Sequence, residues 1–95
     1  MIDVLHVVEL RKLTFLFEGR LSDNLLHFAA EYIDHGEYCL ALETLCDYLC
    51  EEEVALSEPE YQELLRLGLV VGANPDAGRF RYLQTLVTKH LNIKP

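Results

Sequence analysis

The spacing of apolar residues within residues 34–53 constrains the fold more than any other feature of the chain. Apolar side chains recur there at i, i+3, i+4, i+7, i+8 and i+11, which is the spacing of one buried stripe on an α-helix. The positions are Tyr38, Ala41, Leu42, Leu45, Cys46 and Leu49. A chain of 95 residues holds one core, because domains divide only at about two to three times this length. The sequence therefore predicts a single domain, residues 1–95, around a helix over residues 37–52.

Four further segments carry helical periodicity or helix-boundary signals. Residues 2–18 are rich in apolar residues, and we expect a helix there, with a short strand as the alternative because the segment begins with β-branched residues. Ser22 is expected to cap a second helix, and Gly36 to end it. A capping box starting at Ser57 precedes a helix over residues 58–71, and a last helix reaches residue 91. The prediction is an all-α fold, a compact bundle of about five helices built on the αα-hairpin of the second and third.

The same patterns predict which side chains are buried. Expected core positions are Val4, Leu5, Val8, Phe15 and Leu16 in the first helix, Leu25, Leu26, Ala29, Tyr32 and Ile33 in the second, and Phe80, Leu83, Leu86, Val87 and Leu91 in the last. The fourth helix is apolar on nearly all sides, so we expect it to lie at the centre. At Gly68 a neighbouring backbone is expected to approach closely. We expect Arg79, Arg81 and Lys89 to face water.

Charge is distributed unevenly along the chain. The net charge is -8; residues 37–63 hold nine acidic residues and no basic residue, and residues 64–95 hold one acidic and five basic residues. This balance argues against direct binding of nucleic acid or an anionic membrane, since both need clustered Lys and Arg. Glu43, Asp47 and Glu51 are spaced by four and predict one acidic ridge on the third helix. An exposed row is expected beside the ridge, at Leu40, Thr44 and Tyr48.

Several classes of function are disfavoured by the sequence. No segment has the composition of a membrane span or a signal peptide, so we expect a cytoplasmic protein. Cys39, Cys46 and Cys50 lie in one predicted helix with spacings that suit neither a disulfide nor zinc, so we expect reduced thiols and no metal. No nucleophile–base pair or phosphate-binding motif is present. We therefore expect neither catalysis nor a cofactor.

The second, third and fourth predicted helices carry a pattern that is similar to a known family. The matching positions are Gly36, Glu37, Ala41, Glu43, Leu45, Ser57, Tyr61 and Gly68. In order and spacing, over residues 20–72, they resemble the Maf-type immunity proteins, small helical proteins that protect bacteria from toxins of polymorphic and contact-dependent growth inhibition systems. The resemblance implies an inhibitor that binds a cognate toxin domain, often an RNase, with an EndoU-like nuclease as the first expectation. The three cysteines are not part of the pattern.

We predict the partner-binding surface on the outer face of the third helix and the turns at its ends. A nuclease presents a basic groove to RNA phosphates, and an acidic helix face is its electrostatic complement. The predicted residues are Glu31, Asp34, Glu37, Glu43, Asp47, Tyr48 and Glu51, with Tyr48 as the packed anchor. Two alternatives stay open. In the first, the acids only solvate the surface and the partner binds the basic last helix. In the second, the protein is a helical scaffold or secretion chaperone that holds an amphipathic segment in an apolar groove.

Overall fold

The computed structural model describes the backbone of residues 2–91 and the side chains of residues 2–87. Within that range the helices are α1 (Val4–Leu16), α2 (Asp23–Asp34), α3 (Tyr38–Glu51), α4 (Glu58–Val71) and α5 (Gly78–Leu91). The described residues form no strand, only an isolated bridge between Glu18 and Leu21. The predicted all-α bundle is confirmed, and the N-terminal segment is a helix. The expectations for the side chains of Lys89 and Leu91 lie outside the described residues.

Local sequence explains where the helices begin and end. The Ser22 hydroxyl accepts a hydrogen bond from a backbone N–H in the first turn of α2 at 3.3 Å. At the start of α4 the Glu60 N–H donates to the Ser57 hydroxyl at 3.2 Å, and the Ser57 N–H donates to the Glu60 carboxylate at 3.0 Å. Gly36 and Gly72 follow α2 and α4 with φ of 77° and 93°, a left-handed conformation that suits glycine. These predicted boundaries are confirmed.

The centre of the bundle is α3, whereas the sequence predicted α4. Each of the other four helices packs against α3, whose inner face is buried along its whole length. In α4 the buried residues are Leu64, Leu67 and Gly68, while Leu69 is 58% exposed. The expectation for α4 is wrong because one side of that helix faces outward although its residues are apolar. The acidic ridge therefore belongs to the helix that holds the bundle together.

A close approach does occur at Gly68, but side chains make it. A Cβ atom at this position would lie 3.0 Å from Cδ2 of Leu42 in α3 and 3.0 Å from Cζ of Phe80 in α5. The expected approach of a neighbouring backbone is therefore wrong. The missing side chain instead leaves room for two core residues to meet α4 from different helices.

The first helix buries different residues from those predicted, whereas in α2 the predicted burial of Leu26, Ala29 and Ile33 is confirmed. Val4 is 77% and Leu5 73% exposed, and Val8, Leu16 and Tyr32 also lie at the surface. The buried residues of α1 are Leu10, Leu13 and Thr14, followed by Phe17 after the helix. Because α1 is apolar on most sides, spacing alone could not select its buried face. In α5 the predicted burial of Phe80, Leu83, Leu86 and Val87 is confirmed.

Candidate partner-binding surface

The acidic ridge of α3 is partly neutralised from α5. The guanidinium of Arg79 lies 3.1 Å from the Glu43 carboxylate through Nη1 and 2.9 Å from the Asp47 carboxylate through Nε. A hydrogen bond to Asp47 raises the pKa of Arg79, and the charge of Glu43 adds to the effect. The expectation that Arg79 faces water is therefore wrong. Two of the three carboxylates of the ridge therefore share one cation.

Other arginines likewise pair with acids, most of which are distant in the sequence. Arg20, which follows α1 in the chain, pairs with Glu60 of α4 at 2.8 Å. Arg66 binds Glu63 at 2.7 Å and Glu9 at 3.0 Å. The pairing also includes Arg11 of α1 and Asp34 of α2. Folding thus brings bases from both ends of the chain to the acidic central segment, and the segregation seen in the sequence is partly lost.

Four exposed carboxylates without a partner among the described residues lie in α2 or at the ends of α3. In the described part of the chain, the side chains of Glu31, Glu37, Glu51 and Glu52 are exposed and form no ion pair or hydrogen bond with protein groups. Glu31 lies in α2, Glu37 caps the start of α3, and the other two lie at its end. Within the described range Glu18, Asp23 and Asp76 are also exposed and unpaired, so these four are the unpaired acids near the α2–α3 hairpin rather than all of those available to a cationic partner.

Two exposed aromatic residues lie on α2 between these carboxylates. Phe28 is 52% exposed and Tyr32 36% exposed, and they are one helical turn apart. Another side of α2 faces α1, where the rings of Phe15 and His27 are 6.0 Å apart. Tyr32 lies near Tyr48 of α3, whose phenol pKa it helps to raise, and Phe28, four residues earlier, is the neighbour of Tyr32 along the surface of α2.

Tyr48 lies on α3, near Tyr32. It is half-buried and packs against the core. Burial raises the pKa of the Tyr48 phenol, and the nearby Tyr32 hydroxyl and Glu51 carboxylate raise it further. Leu40, two turns before Tyr48, is exposed, and Thr44 between them is half-buried. We call the surface formed by Phe28, Tyr32, Leu40, Thr44 and Tyr48 the α2–α3 seam.

The structure divides the predicted binding residues into two groups. Glu31, Glu37, Tyr48 and Glu51 lie on or beside the α2–α3 seam. The other three, Asp34, Glu43 and Asp47, are held in ion pairs with arginines of α1 and α5. Sequence reasoning missed the exposed aromatic pair, because Tyr32 matched the apolar stripe of α2 and was assigned to the core. The predicted row on α3 is only partly exposed, since Thr44 and Tyr48 are half-buried.

The three cysteines are free thiols in α3. Cys46 is buried, and burial raises the pKa of its thiol strongly. Burial also raises the pKa of Cys50 to about 11, and its thiol donates a hydrogen bond to the Arg79 carbonyl at 3.6 Å. The described residues place no three His, Cys, Asp or Glu side chains where they could hold a metal ion. None of the described helices is long and apolar enough to cross a membrane.

Comparison of the chain with known protein families, curated proteins and solved structures found no match. The class that the fold defines over residues 2–91 is an all-α helical bundle. Within that range, one of its surfaces combines exposed aromatic residues of α2 with unpaired carboxylates of α2 and α3.

Proposed function

We propose that this chain is an immunity protein that binds and neutralises a cognate bacterial toxin domain. The toxin class we name first is a basic RNase, with an EndoU-like nuclease as the leading example, in line with the Maf-type pattern in the sequence. The observation that carries the proposal is the set of exposed, unpaired carboxylates around the α2–α3 seam. The chain acts in this proposal as a binding protein, without chemistry of its own.

Electrostatics and size both support binding to a nuclease. An enzyme that cleaves RNA presents basic side chains to phosphates, so an acidic surface would attract it and speed association. A standard interface takes about 800 Å² from each partner. The chain exposes 5632 Å², of which such an interface would be about a seventh. The outer faces of α2 and α3, each roughly 20 Å long, can supply that area.

Coexpression with the product of the neighbouring gene tests this function directly. We expect a stable one-to-one complex on size exclusion, loss of RNA cleavage in vitro, and rescue of bacterial growth when the toxin domain is produced. Association should slow in high salt while dissociation changes little. Absence of both complex and rescue, with the two proteins folded and soluble, would refute the proposal.

The apolar outer face of α1 favours a second candidate function, a scaffold or secretion chaperone. Val4 and Leu5 project from this face, and Val7, Val8 and Phe15 line a shallow depression beside them. An amphipathic partner helix could bury its apolar side there. Replacing Val4 and Leu5 by serine should abolish partner binding under this alternative. Under the immunity function the same variant should inhibit the toxin as well as the parent.

A further inference from the structure

We propose that the α2–α3 seam is the docking surface and that its occupant is a basic protein segment. An arginine or lysine of that segment lies against Tyr32 and Tyr48, and a neighbouring apolar side chain packs on Phe28. This proposal deepens the proposed function. It rests on that function only in identifying the partner as a toxin. It differs from the sequence prediction by moving the contact from the acidic ridge to the exposed aromatic residues of α2 and the neighbouring side of α3.

Two of the three carboxylates of the acidic ridge are already paired with a cation, and only Glu51 is free of one among the described residues. Arg79 contacts both Glu43 and Asp47, and a partner cation would have to displace it. An intramolecular group competes at an effective concentration of about millimolar, so displacement would weaken any interaction with the ridge. A partner gains more from carboxylates that have no internal counter-charge.

The seam offers apolar surface on a rigid support. Phe28, Tyr32 and Leu40 are exposed although they are large and apolar or aromatic, and each lies on a helix of the central hairpin. Tyr48 packs against the core on one side, so its ring is held in place. Aromatic residues with little freedom to lose are the kind that contribute most to binding energy at interfaces.

Charge selects among the occupants that such a surface could accept. Glu31 precedes Tyr32, the charge of Glu51 acts on Tyr48, and Glu37 and Glu52 lie at the two ends of α3. None of the four has an internal partner among the described residues, and residues 21–65 contain no Lys or Arg. Cations bind well to the faces of tyrosine rings, and arginine does so while also pairing with carboxylates. A second copy of the chain is disfavoured, because a symmetric contact would set the same four acids against each other. Nucleic acid is repelled for the same reason.

A pair of short peptides tests the seam without the natural partner. We would titrate the whole chain with acetyl-Arg-Leu-Arg-amide and with acetyl-Gln-Leu-Gln-amide, and follow backbone amide signals by NMR. The arginine peptide should shift signals of residues 28–32 and 40–52, and the glutamine peptide should shift them far less. The variants Tyr32→Ala and Phe28→Ser should each weaken binding by about two- to fivefold, the range expected for loss of an exposed cation–π contact or of apolar contact.

Matched variants separate the seam from general acidity. Leu69→Ser removes an exposed apolar side chain from α4, and Glu18→Lys reverses an exposed charge after α1. Both should bind the arginine peptide within about twofold of the parent, whereas Glu31→Lys should weaken it by more, since nearby charges act within a Debye length. Should Tyr32→Ala lose its fold, Glu31→Gln together with Glu51→Gln provides a second test that leaves the aromatic rings in place.

Each outcome decides between distinct conclusions. Shifts centred on α5, shifts spread evenly over all acidic residues, or equal binding of the glutamine peptide would overturn the seam as a docking surface. Sedimentation that shows a dimer broken by Tyr32→Ala would overturn the basic occupant in favour of a second copy. If the toxin is inhibited equally by the parent and by Tyr32→Ala, the seam fails while the immunity function stands. If the arginine peptide binds as expected but no toxin is inhibited, the immunity function fails while the seam stands.

Discussion

Replacing Arg79 by methionine should destabilise the bundle, because this side chain joins α5 to α3 by charge. Methionine keeps most of the apolar stem, so the change removes mainly the ion pairs with Glu43 and Asp47. A partly exposed pair contributes about 0.2–1 kcal/mol, and the two freed carboxylates, one turn apart, repel by roughly 0.3 kcal/mol. We expect a loss of about 1–2 kcal/mol in the free energy of unfolding. For a chain of this size the midpoint temperature would fall by roughly 5–10 °C.

Urea unfolding followed by circular dichroism measures this loss. A double-mutant cycle with Asp47→Asn should give a coupling energy above about 0.5 kcal/mol, and the coupling should shrink in high salt because exposed charges are screened. Arg81→Met is the control: Arg81 is exposed and bonds the Asp76 carbonyl at 2.7 Å, so we expect a change within about 0.5 kcal/mol. Zero coupling, or an equal loss in the control, would show that Arg79 does not stabilise α3.

Three further predictions concern packing, acid sensitivity and thiol reactivity. Gly68→Ala should lower the free energy of unfolding by about 1 kcal/mol, as thermal unfolding can measure. The new Cβ would crowd Leu42 and Phe80 at 3.0 Å, which costs about 1–3 kcal/mol. This cost outweighs a gain in helix propensity of about 1 kcal/mol. The advantage of the parent over Glu60→Gln should be full above about pH 5 and fade in acid, as urea unfolding across pH can show. In the folded chain Cys46, which is buried, should resist iodoacetamide, with mass spectrometry as the readout.

The acid prediction follows from the sign of the pKa shift at Glu60. Its pKa lies below the ordinary glutamate value, chiefly because Arg20 donates hydrogen bonds to the carboxylate and secondarily through Ser57. The folded state therefore favours the ionised form, and this contribution disappears as pH falls through the lowered value. A parent–variant difference that grew in acid would contradict this sign. A higher melting temperature for Gly68→Ala, or alkylation of Cys46 as fast in the folded chain as in urea, would contradict the other two.

Part of the candidate surface could be predicted from the sequence. Helical periodicity is set by residues within two or three turns, so it predicts that Tyr48 and Glu51 lie away from the buried stripe of α3, where Glu51 is exposed and Tyr48 half-buried. The role of Asp47 could not be predicted in this way, since its partner Arg79 is 32 residues away. The exposure of Tyr32 could not be predicted either, because its position in the apolar stripe of α2 is compatible with either the core or its margin. Whether Tyr32 is buried or exposed depends on how closely α3 packs against α2.

The sequence by itself determined the secondary structure of this protein. The capping box of Ser57 and Glu60, the cap at Ser22 and the glycines that follow α2 and α4 act over a few residues, so their effect can be read locally. Only the tertiary structure decided which helix lies at the centre, which face of the apolar α1 is buried, and which acids keep their charge exposed. These outcomes depend on contacts between distant segments, where packing and ion pairing choose among arrangements that local patterns allow equally well.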